Sequence, residues 1–251
     1  MQEEVEFRSN GTTLRGRFVI PENTIGKAPL IVMATGDGLS GSKSSTWGLF
    51  MDGFALAGIP SFVFDFAGLG YSEGHTADLT LSIGVSNMKS AVEFIKDQPW
   101  VDSRRVGMLG SSFGGSVVLL HAGQYDDARA LALKSPVSYL PEVHETDLGL
   151  EGIAAWKKDD YTEHYGFKYS MYLDGFNHNI YATAKNIKVP CLIVHGDADT
   201  VVPLDQSRRL VESLGGESIL HALPGVNHDY KQGDAQAVMT RLVVDWFRAR
   251  L

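Results

Sequence analysis

The sequence predicts an α/β fold, a mostly parallel sheet flanked by helices. Three observations carry that reading: short runs that are apolar at every position, amphipathic segments between them with a helical period, and regular alternation of the two along the chain. A short run apolar throughout is the mark of a strand covered on both faces. Alternation of such strands with helices demands right-handed crossovers and a parallel sheet, whose ligands bind at the carboxyl ends of the strands.

Taken in order, the chain opens with an antiparallel hairpin, because strand-like runs at residues 5–8 and 13–20 flank Asn10-Gly11, a tight-turn dipeptide. Buried strands are expected at residues 30–34, 61–66, 105–109, 130–133, 191–194 and 218–223. Helices are expected at residues 46–57, 79–97, 113–124, 204–214 and 234–249. In the second of these Ile83, Val85, Met88, Ala91, Val92 and Ile95 recur at helical spacing, and Pro99 lies just past the end. One stretch breaks the rhythm. From Ser138 to Ala184 there is no obvious buried strand, and Tyr139, Trp156, Tyr161, Tyr165, Phe167, Tyr169, Tyr172, Phe176 and Tyr181 gather there. With its flank it forms a short helical cap, residues 138–186, inserted in a single domain spanning 1–251. As a cap it offers Tyr139, Trp156, Tyr169 and Tyr172 as substrate contacts; as a small subdomain it uses its aromatics to fill its own core.

The 251 residues carry 22 Lys plus Arg against 30 Asp plus Glu, a formal charge of −8 that argues against nucleic-acid binding. With 44% hydrophobic and 21% charged residues the chain can bury a large core. The single cysteine, Cys191, permits no intramolecular disulfide and no multi-cysteine metal site, and at the start of an apolar strand it reads as a small core hydrophobe. A reducing, cytoplasmic setting is expected. Three glutamates precede any apolar run at the start, so no secretory signal is read, and no stretch approaches the roughly 18 apolar residues of a membrane span. No H-E-x-x-H or other metal motif is present, and the expected chemistry needs neither metal nor cofactor.

The pattern G-x-S-x-G occurs twice, at Gly110-Ser111-Ser112-Phe113-Gly114 and at Gly70-Tyr71-Ser72-Glu73-Gly74. A nucleophile elbow needs a strand, a sharp turn and an immediate helix, which only the first match has. Ser112 is therefore the candidate nucleophile and Ser72 a loop residue. Serine needs a histidine base, oriented by an acid. Of eight histidines, His228 lies in the turn-rich Pro224-Gly225-Val226-Asn227-His228-Asp229, between the last strand and the last helix. His121 sits among Leu119, Leu120 and Ala122 and reads as structural, while His144, His164 and His178 belong to the insertion. For the acid, the strand at 191–194 runs into a loop with two aspartates, Asp197 and Asp199, and spacing admits either.

The stretch His195 to Pro203, H-G-x-x-D-x-x-V-P, resembles the acid loop of the α/β-hydrolase superfamily. The resemblance implies Asp199 as the acid, leaving Asp197 to hydrogen-bond within its own turn. It covers nearly the whole chain, and the order Ser, Asp, His agrees with it. Asp65 to Gly74 is similar to the D-x-x-G-x-G-x-S-x-G turn of small-lid esterases, feruloyl and cinnamoyl esterases among them. Acyl transfer also needs two backbone N–H groups for the oxyanion. One is the Phe113 amide at a helix start. The other falls at the Asp37 amide, in Thr35-Gly36-Asp37-Gly38, where the family commonly has His-Gly and this chain has Thr35. The Asp37 carboxylate would repel an oxyanion, so it is expected to turn away or to meet a cation.

The resemblance implies a serine hydrolase acting on a small-molecule carboxylic ester, and the aromatic content of the cap favours an aryl or short-to-medium acyl group. Thioesters, peptides and amides pass through the same tetrahedral intermediate and stay open. Because the base must be neutral, activity is expected to rise with pH where histidine titrates. Two alternatives differ in class: a hydrolase-fold protein that binds ligand without catalysis, and an NAD-dependent oxidoreductase built on Gly36-Asp37-Gly38-Leu39-Ser40-Gly41 with Asp65 as the ribose acid. Against the last, Gly41-Ser42-Lys43-Ser44-Ser45 is a poor helix opening.

Overall fold

The computed structural model describes residues 1–251. β1 (Gln2–Ser9) and β2 (Thr12–Val19) form the antiparallel hairpin, with Asn10 and Gly11 both at positive φ, 48° and 84°, as a two-residue turn between twisted strands requires. Six more strands follow: β3 (Ala28–Ala34), β4 (Ser61–Phe64), β5 (Val101–Ser111), β6 (Ala130–Lys134), and, after the insertion's short β7 (Tyr161–Thr162) and β8 (Phe167–Lys168), β9 (Cys191–Gly196) and β10 (Ser218–Leu223). The eight-stranded sheet runs β1-β2-β4-β3-β5-β6-β9-β10, parallel from β4 onward, with β2 antiparallel to β4.

Successive residues of β3 explain the layering. Leu30, Val32 and Ala34 face one core with α2 (Leu81–Lys96), α3 (Phe113–Ala122) and α7 (Leu204–Ser213), while Ile31 and Met33 face the other with α1 (Ser45–Leu56) and α8 (Ala235–Arg248). The two strands read least well from sequence lie where burial is incomplete. β5 begins four residues earlier than its apolar run, on the exposed Ser103 and Arg104. β10 is an edge strand with His221 and Ala222 exposed, not covered on both faces.

The insertion between β6 and β9 holds α4 (Leu140–Asp159), broken at Gly149 with φ 64°, the β7-β8 hairpin, α5 (Ser170–Gly175) and α6 (Ile180–Ala184). Polar ties fasten it to the rest. Asp174 accepts from Ser82 N and Oγ, both at 2.7 Å, Lys168 pairs with Asp78, and Gln206 of α7 holds the amides of Ser138 and Tyr139. These ties set the β7-β8 hairpin over the loop that follows β3. No helix is long and apolar enough to cross a membrane.

Candidate active site

Ser112 stands between β5 and α3 with φ 52° and ψ −118°, a strained conformation for a residue with a Cβ. The turn is tight because its flanks are glycine: a Cβ on Gly110 would come within 2.5 Å of Gly114 O, and one on Gly114 would strike the carbonyl of Thr35. The serine is pinned by its amide, which donates to Lys134 O at 2.9 Å. Phe113 opens α3, so its amide is one of the N–H groups that a helix start leaves without an intrahelical partner.

His228 sits in the β10–α8 loop and Asp199 in the loop after β9, and the parallel β9-β10 pairing brings the two loops side by side. His228 Nδ1 donates to Asp199 Oδ2 at 2.7 Å, which leaves Nε2 as the ring's free nitrogen. The other carboxylate oxygen accepts from the amides of Val201 and Val202, each at 2.9 Å. His195, fully buried, holds its Nε2 3.3 Å from Asp199 Oδ2 and 3.0 Å from Val202 O, and accepts from Ser207 Oγ at Nδ1. Burial alone would push the Asp199 carboxyl up; the hydrogen bonds from His195 and His228 outweigh it and hold the group well below the usual carboxylate range. Contrary to the expected bond within its own turn, Asp197 reaches across to accept from Gly225 N at 2.6 Å. It thereby ties the two loops together.

Ser112 and His228 line one cavity of about 330 Å³, between the start of α1, the His228 loop and α8. Asp37 and Gly38 belong to its wall and also to that of a second cavity, about 600 Å³, roofed by Tyr161, Tyr165 and Phe167 of the insertion. The Asp37 carboxyl meets no cationic side chain in a salt bridge, so of the two expected arrangements the pairing with a cation is not the one found. Burial pushes its pKa up, against the opposing influence of its own amide and of His228.

Tyr139, Trp156, Tyr169 and Tyr172, the substrate contacts expected from the sequence, are all absent from the walls of these two cavities. Trp156, Tyr169 and Tyr172 pack edge-on or tilted against one another with centroids 5.4 to 6.1 Å apart, Trp156 Nε1 donates to Phe167 O, and Tyr172 donates to Glu145. Tyr139 packs edge-on against Phe176. The aromatics of the insertion make its own core, and the neighbours Tyr161, Tyr165 and Phe167 take the wall position instead. Sequence also passed over Lys134, 6% exposed at the end of β6, whose Nζ donates to His228 O at 2.9 Å and lies 4.5 Å from the Tyr230 ring centroid. Its signal was there: a lysine closing an apolar run, where an unpaired charge is costly.

The dinucleotide pattern dissolves on inspection. α1 starts at Ser45, after the glycine run, and the Asp65 carboxylate is spent on Ser42 N, Ser42 Oγ and Tyr71 N. Ser72, the serine of the second G-x-S-x-G, donates to Asp65 O and accepts from Arg15 N, a loop brace.

Residues 75–251, which carry Ser112, Asp199 and His228, match the model of the prolyl oligopeptidase family. The chain belongs to the prolyl oligopeptidase family. Residues 1–146 match in addition an esterase family described as FrsA-like. Among solved structures, Est1E from Butyrivibrio proteoclasticus with ferulic acid bound superposes with a TM-score of 0.87 at 25% identity, covering 98% of each chain. The 31.7 kDa protein of the traX-finO intergenic region of Escherichia coli is 21% identical over 93% of this chain and 95% of its own. The peptidase YuxL of Bacillus subtilis is 27% identical over 65% of this chain, which spans a quarter of YuxL. This member of the prolyl oligopeptidase family is thus an α/β-hydrolase, with the sheet order and single antiparallel β2 described above.

Proposed function

We propose that this protein is a serine hydrolase of carboxylic esters, with Ser112 as nucleophile, His228 as base and Asp199 as the acid that orients it. The observation that carries the reading is the His228–Asp199 bond of 2.7 Å beside a strained serine that opens on the same cavity as the histidine. Ser112 Oγ attacks the ester carbon and its proton passes to His228 Nε2. The oxygen that gains charge is received by the amides of Phe113 and Asp37, each such donor contributing about a hundredfold to a thousandfold in rate. Collapse of this intermediate breaks the bond to the alcohol, which leaves with the proton from Nε2. Water, giving its proton to the same nitrogen, then attacks the acyl-enzyme; collapse releases the acid and returns the proton to Ser112. Asp199 stays ionised throughout, because the hydrogen bonds that depress its pKa favour the carboxylate.

An aryl or short-to-medium acyl group suits the larger cavity, whose roof is Tyr161, Tyr165 and Phe167. The ferulic acid held by Est1E supports an aromatic acyl group. The family's name and its relative YuxL favour a second reading, cleavage of a peptide bond on the same residues. Turnover of p-nitrophenyl esters from acetate to decanoate, beside the matching thioesters and p-nitroanilides, separates the two. Ester turnover at least a hundredfold above anilide turnover, peaking at short or medium length, is expected; preferred anilide cleavage refutes the ester assignment.

A further inference from the structure

The two cavities that meet at Asp37 differ in kind. The one under the insertion is lined by Tyr161, Tyr165 and Phe167 beside Glu163, His164 and His75, whereas the one holding Ser112 and His228 has a single hydrophobic residue, Trp47, among its sixteen. Its other lining residues include Ser44, Ser45, Thr46, Gln236, Lys134 and Lys231. Lys231 is 74% exposed and paired with Asp229 at 3.2 Å, so the two charges largely answer each other. Lys134 is different. It is almost wholly buried, forms no salt bridge, rests over the Tyr230 ring at 4.5 Å, and donates to one protein oxygen, His228 O. A buried ammonium without a salt bridge on the wall of a polar cavity is a site that gains by receiving an anion.

The side of the substrate that enters here follows from the chemistry. The histidine that protonates the leaving oxygen must stand on the leaving-group side of the carbonyl, and His228 lines this cavity and not the aromatic one. We infer that the cavity beside Ser112 is the alcohol-side subsite and takes a leaving group bearing a carboxylate or phosphate, held by Lys134 with help from Ser45, Thr46 and Gln236. The inference rests on the ester-hydrolase reading and gives it a substrate class: an acyl ester of an acidic alcohol. Asp229 is engaged by Lys231, which leaves Asp37 as the acidic residue of this wall that opposes an anion.

The test uses the full chain with three butyryl esters of similar size, those of glycolic acid, 2-hydroxyethyl phosphate and glycolamide. The wild type is expected to favour one or both charged esters over the glycolamide ester by roughly ten- to a hundredfold in kcat/KM, the range of a hydrogen bond to a charged group. Which charged ester is preferred separates carboxylate from phosphate. Lys134→Met is expected to bring the charged-to-neutral ratio near one, and Lys134→Arg to keep it above about five. The ratio is the readout because Lys134 also touches the His228 loop, so that loss of overall rate alone says nothing of anion binding. Should Lys134→Met fold poorly, Gln236→Leu is expected to lower the same ratio about threefold. A wild-type ratio near one with brisk turnover overturns the anionic subsite and leaves the esterase standing. No turnover of any ester, together with no fluorophosphonate labelling of Ser112, overturns both.

Discussion

Asp37 concentrates the conflict between motif and chemistry at the level of single residues. Its amide is wanted as an oxyanion donor and its carboxylate is not. Two substitutions separate these roles: Asp37→Asn, which keeps the backbone N–H, is expected to hold kcat/KM for p-nitrophenyl butyrate within about threefold, while Asp37→Pro, which removes it, is expected to cost on the order of a hundredfold. Equal losses in both would place the function in the side chain. The proposed Ser112, Asp199 and His228 can be picked out from sequence as candidates because each lies in a local pattern, the elbow, the acid loop and the turn before the last helix. The partners that sharpen them cannot. His195 under Asp199, Asp197 bonded to Gly225 and Lys134 under His228 depend on which loops the sheet sets side by side, and no local pattern carries that.

Among the elements, the insertion is where sequence and structure diverge in detail. Its place between two buried strands and its aromatic content could be read; which rings face inward could not, because a helix broken at Gly149 and a two-residue hairpin have no sustained period to follow. His144 occupies the middle of the ring cluster, with Trp156 at 5.1 Å and Tyr165 at 4.9 Å, and its Nδ1 has no partner. Burial pulls its pKa down to about 4 from 6.5, with only Asp147 opposing. A base with a depressed folded pKa takes up its proton more readily when unfolded, so the contribution is intact above about 6.5 and shrinks as pH falls toward 4. The loss amounts to about 2 kcal/mol by pH 5. Hydrogen exchange in residues of α4 and α5 is expected to speed up between pH 7 and pH 5, after correction for the intrinsic rate, and His144→Phe is expected to remove that change. An identical pH response in the variant would assign the effect elsewhere.

For the molecule as a whole, stability rests on two cores divided by the sheet, and the larger is tied together by phenylalanines. Phe62 stands centre to centre 4.5 Å from Phe18 and within 6.3 Å of Phe7, Phe64 and Phe94. Gly16 leaves room for that ring: a Cβ there would lie 2.5 Å from it. Phe62→Ala is expected to cost about 3 to 5 kcal/mol in urea unfolding with little change in slope, and a loss below about 1 kcal/mol would contradict this packing. The α/β architecture and most of the strand order-defining runs were legible because burial on both faces writes itself as continuous apolar sequence. β10 and the first residues of β5 were less so, since an edge strand and a strand overhanging its neighbour keep polar positions.

Labelling of Ser112 goes most directly to the central claim. Intact mass after incubation with a fluorophosphonate, wild type against Ser112→Ala, is expected to give a single adduct on the wild type and none on the variant. An adduct that persists in Ser112→Ala, or no adduct on a wild type that turns over p-nitrophenyl butyrate, would contradict the assignment of the nucleophile.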